Sequence, residues 1–129
     1  MNIPAAHQTI MPYLILEGAS KFIDFTKNVF GAAETTTKSL REDGTVMHAE
    51  ITLNGSTIMV TDATTDWAKQ TSNLFVYVSN ADETYQKAIK NGAVSLMGLS
   101  NQDYGRTCGV TDPFGNVWWI TSVNNPHLN

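Results

Sequence analysis

The chain has 129 residues, 42% of them hydrophobic, and a net charge of −4, which suits a single domain over residues 1–129 with its own hydrophobic core. Its eight lysines and arginines are scattered along the sequence, so the basic patch that nucleic-acid binding needs is missing and nucleic acid is not an expected partner. No apolar run approaches the roughly 18 residues of a membrane span and the first ten residues do not resemble a signal peptide, so we expect a cytoplasmic protein without a membrane partner.

The first predicted elements are a strand and a helix. Residues 9–16 are dense in apolar and β-branched side chains, which is typical of a strand. The apolar residues that follow fall on one helical stripe, and Gly31 stands where the end of a helix favours a left-handed residue. The stripe consists of Phe22, Ile23, Thr26, Val29 and Phe30.

An edge strand and a hairpin are predicted next. Residues 34–39 are polar and rich in threonine, which is typical of an edge strand. Residues 46–53 and 57–62 are predicted to be strands, joined by Asn54 and Gly55, the strongest short hairpin signal.

Two polar segments connect these elements. Residues 41–44 form a charged turn, and residues 63–72 form a connection that carries Trp67. We expect this tryptophan to cover the mouth of a cleft or a dimer seam.

The second half of the chain repeats the order of the first. Residues 73–78 are predicted to be a strand, and Asn80 and Glu83 have the spacing of a capping box at the start of a helix. This helix is expected to turn three residues inward, namely Tyr85, Ala88 and Ile89.

The last predicted elements end in a second hairpin. Residues 94–97 are expected to form a short strand and residues 99–106 a polar loop. Residues 107–111 then pair with residues 117–122 across a turn at residues 112–116, in which Asp112 and Asn116 are turn residues.

The chain is therefore predicted to be an α+β protein made of two βαβββ modules. The first covers about residues 9–63 and the second about residues 73–123, and their hairpins are about 60 residues apart. Two such modules side by side would enclose a cleft, which is where small molecules bind.

Four segments carry a resemblance to a known family, and they follow in the expected order. They are PYLILEGASKFIDFTKNVFGA (residues 12–32), MHAEI (47–51), IMVTD (58–62) and YGRTCGVTDPFGNVWWI (104–120). This pattern resembles the vicinal oxygen chelate superfamily, which includes glyoxalase I, the bleomycin and fosfomycin resistance proteins and the extradiol dioxygenases, and within it the PhnB-like branch. The resemblance implies two βαβββ modules forming a U-shaped mixed sheet around a cleft, commonly in a homodimer.

The resemblance also implies a metal site. In enzymes of the family, four residues on the first and last strands of the modules, mostly His and Glu, hold a divalent metal that acts as a Lewis acid. In this chain those positions fall on Met11, Met59, Asn73 and Trp119. A thioether, an amide and an indole are poor ligands for such a metal, so we expect no metal and no other cofactor.

The strand face that would line the cleft is aromatic and rich in methionine. Side chains alternate along a strand, so further residues are expected inside with Met11 and Asn73. They are Tyr13, Ile15, Met59, Thr61, Phe75, Tyr77, Trp119 and Thr121. This lining suits a flat, partly apolar organic molecule as ligand. The alternative is a packed core that holds no ligand.

Three further residues are candidates for chemistry. His48 and Glu50 lie two residues apart on one strand face, so they could be a general base with its orienting partner, two ligands of a displaced metal, or residues of a solvated face. Arg106 could contact an anionic substrate or a partner chain, or form a surface salt bridge.

The remaining histidines and the single cysteine carry no predicted chemistry. His7 and His127 lie in terminal tails that are expected to be poorly ordered. Cys108 falls in a predicted strand, where a lone thiol usually only packs.

Three functions remain open from the sequence. The leading hypothesis is a protein that binds a small organic molecule without a metal, as bleomycin resistance proteins do. The second is an enzyme of the superfamily, a lyase, isomerase or dioxygenase relative, with a non-standard site that uses His48 and Glu50. The third is an interaction protein whose cleft is filled.

Overall fold

A computed structural model describes residues 1–35 and 38–123, which form two units that divide between Thr71 and Ser72. Each unit contains one mixed sheet and one helix, so the predicted α+β class with two βαβββ modules is confirmed. In the described part of the chain, neither helix is long and apolar enough to cross a bilayer.

The first unit has six elements. They are β1 (Tyr13–Leu16), α1 (Ala19–Phe30), β2 (Ala33–Glu34), β3 (Ser39–Leu40), β4 (Val46–Leu53) and β5 (Ser56–Asp62). The strand order is β1-β5-β4-β2, and β3 also pairs with β4. The pair β1 and β5 is parallel and the other pairs are antiparallel, so the sheet is mixed.

The second unit repeats this plan with five elements. They are β6 (Asn73–Tyr77), α2 (Ala81–Lys90), β7 (Val94–Gln102), β8 (Gly105–Thr111) and β9 (Val117–Ser122). The strand order is β6-β9-β8-β7, with β6 and β9 parallel. The two units thus share the arrangement in which the first strand pairs in parallel with the last.

Helix α1 forms because its apolar residues lie on one face. The predicted stripe is buried except for Phe30, which is half-buried, and Phe25 is buried in addition. The helix ends at Gly31, which has the left-handed φ of +70° that glycine adopts without strain. At its start, Asp62 Oδ1 accepts hydrogen bonds from the backbone N–H groups of Gly18 and Ala19, and Asp62 Oδ2 accepts from Val46 N. One carboxylate therefore ties the helix to two strands.

Helix α2 has the predicted cap, since Asn80 Oδ1 accepts from Glu83 N at 3.1 Å. Ser122 Oγ accepts from Ala81 N at 3.1 Å, so the end of β9 supports α2 as the end of β5 supports α1. Ile89 was expected to face inward, but it is 37% exposed. The helix has ten residues, of which only Ala81 and Ala88 are fully buried. The prediction that Ile89 turns inward is therefore wrong.

The two hairpins have different turns. Asn54 and Gly55 both have positive φ, +49° and +85°, as a two-residue hairpin of type I′ requires. In the longer turn of the second unit, Asp112 is buried and accepts hydrogen bonds from Phe114 N, from the backbone and side-chain nitrogens of Asn116 and from Trp118 Nε1. The predicted turn role of Asp112 and Asn116 is confirmed.

The predicted first strand is too long. It begins at Tyr13 rather than at residue 9, because Pro12 has no N–H to give to the ladder and the residues before it pair differently. The Gln8 side chain donates from Nε2 to Thr57 O at 2.9 Å and accepts from Thr57 N at 3.3 Å. The Gln8 side-chain amide thus satisfies the backbone N–H and C=O of Thr57, which a longer strand would have paired with its own backbone.

The predicted loop at residues 99–106 is wrong. Strand β7 runs on to Gln102 and β8 begins at Gly105, so a tight turn replaces the loop. Strand β7 lies at the sheet edge and most of its residues are exposed, so it carries no alternation of buried and polar positions to reveal it. In the first unit, the strand predicted at residues 34–39 is split into β2 and β3, and residues 36–37 lie outside the described residues.

Candidate functional site

Four of the predicted site residues share one face of the first sheet. Tyr13 on β1 is the register partner of Met59 on β5, and Met59 is the partner of Glu50 on β4. His48 lies two residues before Glu50, and the alternate residues of β1, Leu14 and Leu16, are buried. The strand alternation therefore brings Tyr13, His48, Glu50 and Met59 together, away from the buried core.

A chain of hydrogen bonds crosses this face. Tyr13 Oη lies 3.2 Å from His48 Nδ1, and His48 Nε2 lies 2.9 Å from Glu50 Oε2. His7 Nε2 lies 2.8 Å from the other oxygen of the same carboxylate. The Tyr13 and His48 rings also meet edge to face, with centroids 5.6 Å apart.

His7 is a contact that sequence reasoning missed. A poorly ordered tail was expected, yet His7 contacts Glu50 and its side chain is only 21% exposed. A single histidine before the first strand has no pattern that would predict a partner 43 residues away, so no sequence signal was available. His127 lies outside the described residues.

The charge on Glu50 fixes the direction of the two hydrogen bonds to its carboxylate. The hydrogen bond from His48 and then that from His7 lower the pKa of Glu50 below its ordinary value, although partial burial opposes the shift. An ionised carboxylate only accepts hydrogen bonds, so both histidines donate to it from Nε2. A neutral His48 then has a free lone pair on Nδ1, which accepts from the Tyr13 hydroxyl.

Tyr13 also borders a pocket in the first unit. The pocket has a volume of about 460 Å³ and is lined by Tyr13, Ile15, Arg41, Met47, Thr61 and Trp67. Trp67 sits in a turn closed by the hydrogen bond from Thr64 N to Trp67 O, and it is 67% exposed. Trp67 was expected to cover the mouth of a cleft or a dimer seam. In the structure it borders this pocket.

Arg41 is the second residue that sequence reasoning did not place in a site. It was read only as part of a charged turn. Its Nη2 donates to Thr61 Oγ1 at 3.1 Å, and its Nη1 donates to Thr45 Oγ1 and to the carbonyl oxygens of Val46 and Asp62. These bonds hold the guanidinium at the pocket wall, between the ends of β4 and β5.

The residues of the second unit that were predicted to line the cleft also share a sheet face. Phe75 on β6 is the register partner of Trp119 on β9, and Trp119 Nε1 donates to Asn73 Oδ1 at 3.1 Å. Phe75 lies 5.3 Å from Tyr77 and 6.4 Å from Tyr104 between ring centroids. The resulting aromatic patch includes Tyr104, which sequence reasoning missed because it fell in the predicted loop.

Glycine makes room for the Trp119 indole. Gly109 is the register partner of Trp119, and a Cβ at Gly109 would lie 2.5 Å from a ring carbon of that indole. Real Cβ atoms do not approach so closely, so the indole ring occupies the space that any other residue at position 109 would need.

Arg106 lies on a different face from these residues. On β8 it is next to Thr107, which shares the face of Trp119 through its partner Thr121, so Arg106 points to the side of α2. Its Nε and Nη2 atoms donate to the two oxygens of Asp82 at 2.8 and 3.1 Å. This ion pair raises the pKa of Arg106 and lowers the pKa of Asp82. The salt-bridge alternative is the one observed, and the ligand contact stays a prediction without geometric support.

The four positions of the family metal do not fit a hard divalent ion. Met11 precedes β1 and its Sδ accepts from Gln8 N at 3.4 Å, while Met59 offers a second thioether. The Asn73 amide oxygen is used by Trp119, whose indole nitrogen has no lone pair to donate. Within residues 1–35 and 38–123, no group of three or more His, Cys, Asp or Glu side chains is placed to hold a metal ion.

Cys108 has the packing role expected of it. The thiol is buried, and this burial raises its pKa to about 11. It is therefore protonated at neutral pH and a poor nucleophile.

Comparison with known proteins identifies the family. The model of the glyoxalase/bleomycin resistance protein/dioxygenase superfamily matches residues 11–120. The chain belongs to this superfamily. An uncharacterized protein of Mycobacterium bovis is 29% identical to the present chain over 121 residues. The match covers 84% of the present chain and 79% of the mycobacterial protein.

Solved structures agree with the fold of this superfamily. A PhnB protein from Bacillus cereus matches with a TM-score of 0.74 and 24% identity, over 90% of this chain and 100% of the other. TnmS3, an antibiotic binding protein from Streptomyces sp. CB03234, matches with a TM-score of 0.68 and 17% identity, over 90% and 98% of the two chains. At these identities the likeness shows a common fold.

Proposed function

We propose that this superfamily member binds a small organic molecule with a flat, partly apolar body in the pocket of its first unit, without the family metal. The observation that carries the proposal is the pocket itself. Its volume of about 460 Å³ falls within the range of small-molecule sites, roughly 300–1,000 Å³.

The chemistry of the lining supports the same ligand class. Tyr13 and Trp67 offer aromatic surface for stacking, and Met47 is flexible enough to adapt to an irregular shape. The hydroxyl of Tyr13 would fix the orientation of a polar group. The antibiotic-binding relative TnmS3 uses the same fold for binding, which is consistent with this proposal.

The absence of the family metal is part of the proposal and has its own test. The purified protein is analysed for bound metals and its thermal unfolding is followed with added Ni²⁺, Zn²⁺, Mn²⁺ or Fe²⁺. No stoichiometric metal and no rise in Tm are expected, because a ligand of the native state would stabilise it by mass action. A metal at one equivalent would contradict the metal-free proposal.

Binding is tested with a neutral aromatic probe, 1-naphthylacetamide. Addition to ¹⁵N-labelled protein should shift the amide signals of β1, β5 and the turn around Trp67. Met47→Ala removes a side chain from the pocket wall and should weaken binding about tenfold, as expected for the loss of a well-packed apolar contact. Met97→Ala, at another partly exposed methionine on β7, is the matched control and should leave the affinity unchanged. Equal loss in both variants, or shifts confined elsewhere, would reject the pocket.

A second candidate function is acid–base catalysis, and the hydrogen-bonded chain Tyr13–His48–Glu50 favours it. The order of a reactive hydroxyl, a histidine base and an orienting carboxylate is the arrangement that activates a group for proton transfer. Because Tyr13 borders the pocket, its hydroxyl is the member of this chain that a bound molecule would meet. Isomerases and lyases that act through an enolate begin with such proton removal next to a carbonyl.

Deuterium exchange separates the two functions. Dihydroxyacetone is incubated with the protein in D₂O, and loss of its CH₂ signal is followed by ¹H NMR. An enzyme should accelerate the exchange above the buffer rate. Tyr13→Phe and His48→Gln should each lower the accelerated rate about a hundredfold, while 1-naphthylacetamide still binds. Exchange at the buffer rate in the native protein would leave binding as the proposed function.

A further inference from the structure

Arg41 brings a charge into a pocket that is otherwise neutral. Of the six residues that line the pocket, Arg41 alone is ionised at neutral pH. Its hydrogen-bond acceptors are all uncharged, being two hydroxyl and two carbonyl oxygens. Among residues 1–35 and 38–123, no carboxylate forms an ion pair with it.

The nearby carboxylates are occupied by other groups. Asp62, whose main-chain oxygen accepts from Arg41, uses its carboxylate for the backbone N–H groups at the start of α1 and for Val46 N. Asp43 is exposed and accepts from the backbone and hydroxyl of Thr45. Both acids reduce the positive potential at Arg41, but neither makes the close contact that would neutralise it.

The bonds that Arg41 makes leave it suited to an anion. Its four hydrogen bonds measure 3.1–3.2 Å, at the long end for N–H to oxygen bonds, and they go to neutral acceptors. A ligand oxyanion would form shorter, charge-assisted bonds with the same guanidinium. The apolar side chains beside it, Ile15 and Met47, would be covered together with the ion pair when a ligand enters, and removal of water would strengthen that attraction.

We infer that the pocket selects an organic anion, with an aromatic or aliphatic body between Tyr13, Met47 and Trp67 and a carboxylate or similar oxyanion on Arg41. The inference rests on the proposed binding function and specifies its ligand class. The distribution of polar and apolar groups supports it, because the single cation lies at one wall of a mainly apolar pocket.

The test compares two probes of nearly the same shape that differ in charge, 1-naphthylacetate and 1-naphthylacetamide. Their Kd values are measured by calorimetry at pH 7.5 and low salt. The acetate should bind about tenfold more tightly, as expected for one charge-assisted contact. Arg41→Gln should remove this preference while the amide still binds, and Arg41→Lys, which keeps the charge without the fork of donors, should keep part of it.

Arg106→Gln is the matched control for the loss of a guanidinium. Arg106 is already paired with Asp82 in the second unit, so the preference for the acetate should be unchanged in this variant. Continued binding of 1-naphthylacetamide to Arg41→Gln reports that this variant is folded. If Arg41→Gln does not fold, the affinities of the two probes for the native protein and for Arg41→Lys still test whether the pocket selects an anion.

The outcomes separate the inference from the function on which it rests. Equal affinities for the two probes on the native protein would overturn anion selection and leave the binding function standing. A preference that persists in a folded Arg41→Gln variant would also overturn it, because another group would then hold the anion. Failure of both probes to bind would reject the binding function itself.

Discussion

The two units share a backbone plan but fill one sheet face in opposite ways. In the first unit, the register row reads Tyr13, Met59 and Glu50. The equivalent row of the second unit reads Phe75, Trp119 and Gly109. In the first unit, the Glu50 carboxylate is hydrogen-bonded to two histidines. At the equivalent position of the second unit, Gly109 lies against the Trp119 indole.

This difference shows how a duplicated module acquires different chemistry without changing its fold. Strand register fixes which three positions lie side by side, and the side chain at each position then decides whether the face carries polar groups or aromatic surface. The same holds at the helix starts, where Asp62 in the first unit and Ser122 in the second accept from the first helical N–H groups. Asp62 and Ser122 have equivalent positions and the same role in the two units, but only Asp62 is an acidic residue.

The largest expected difference lies at the hairpin turns. Asp112→Ala should lower the free energy of unfolding by about 3 kcal/mol, because several buried donors lose a charged acceptor at once. Asn54→Ala, in the turn of the first unit, should cost only about 1 kcal/mol, the penalty for alanine at positive φ. Urea denaturation measures both, and similar losses would show that Asp112 is not central to its turn.

The next effect tests the close approach of glycine and indole. Gly109→Ala places a methyl group against Trp119 and should cost about 2 kcal/mol. Gly98→Ala on β7 is the matched control, because a Cβ there has nothing within 4 Å. The cost at residue 109 should fall when Trp119 is also changed to leucine, as thermal unfolding of the double variant would reveal. Persistence of the full cost would assign it to the backbone instead.

A smaller difference is expected between the two helix supports. Asp62→Ala should cost about 2 kcal/mol and Ser122→Ala about 1 kcal/mol, because Asp62 accepts three backbone hydrogen bonds where Ser122 accepts one, and its carboxylate also favours the positive end of the α1 dipole. Chemical denaturation of the two variants gives the comparison. Equal costs would mean that neither the charge of Asp62 nor its additional hydrogen bonds stabilise the first unit further.

The smallest expected effect is a pH dependence at Glu50. Its pKa is lowered in the folded state by His48 and His7, so its contribution to stability is complete above the ordinary value of 4.5 and is lost as the pH falls through the folded value. The native protein should therefore lose its stability advantage over Glu50→Gln as the pH is lowered from 6 to 3, measured as the difference in Tm.

Asp82 in the second unit provides the comparison for that experiment. Its pKa is also lowered, by Arg106, but the pair is exposed and screened by solvent. Asp82→Asn should thus change the pH dependence less than Glu50→Gln. A larger effect at Asp82 would contradict the expectation that the less exposed carboxylate, Glu50, contributes more to the pH dependence of stability.

Local patterns in the sequence were sufficient for much of the fold. The stripe of α1, the cap at Asn80 and the turn at Asn54 and Gly55 each depend on neighbouring residues, and all three are present. Strand β7 was underestimated because an exposed edge strand has no buried face to impose a pattern. The start of β1 was misplaced because the pairing of Gln8 with Thr57 joins distant segments.

The candidate site was predicted in the same uneven way. Alternation along the strands correctly grouped Tyr13 with Met59 and His48 with Glu50, because it follows from strand geometry alone. His7 and Arg41 could not be predicted, since their positions depend on contacts between segments rather than on a local pattern. Whether the grouped residues bind a ligand stays a prediction.

The exposed position of Trp67 gives the pocket an optical reporter of its own. The chain has three tryptophans, and the other two lie in the second unit, where Trp118 is held in the core by Asp112. The emission of an indole depends on the polarity around it, so a molecule that enters the pocket should alter the fluorescence of Trp67. A difference spectrum against Trp67→Phe would isolate that signal, and collections of compounds could be screened on the unlabelled protein.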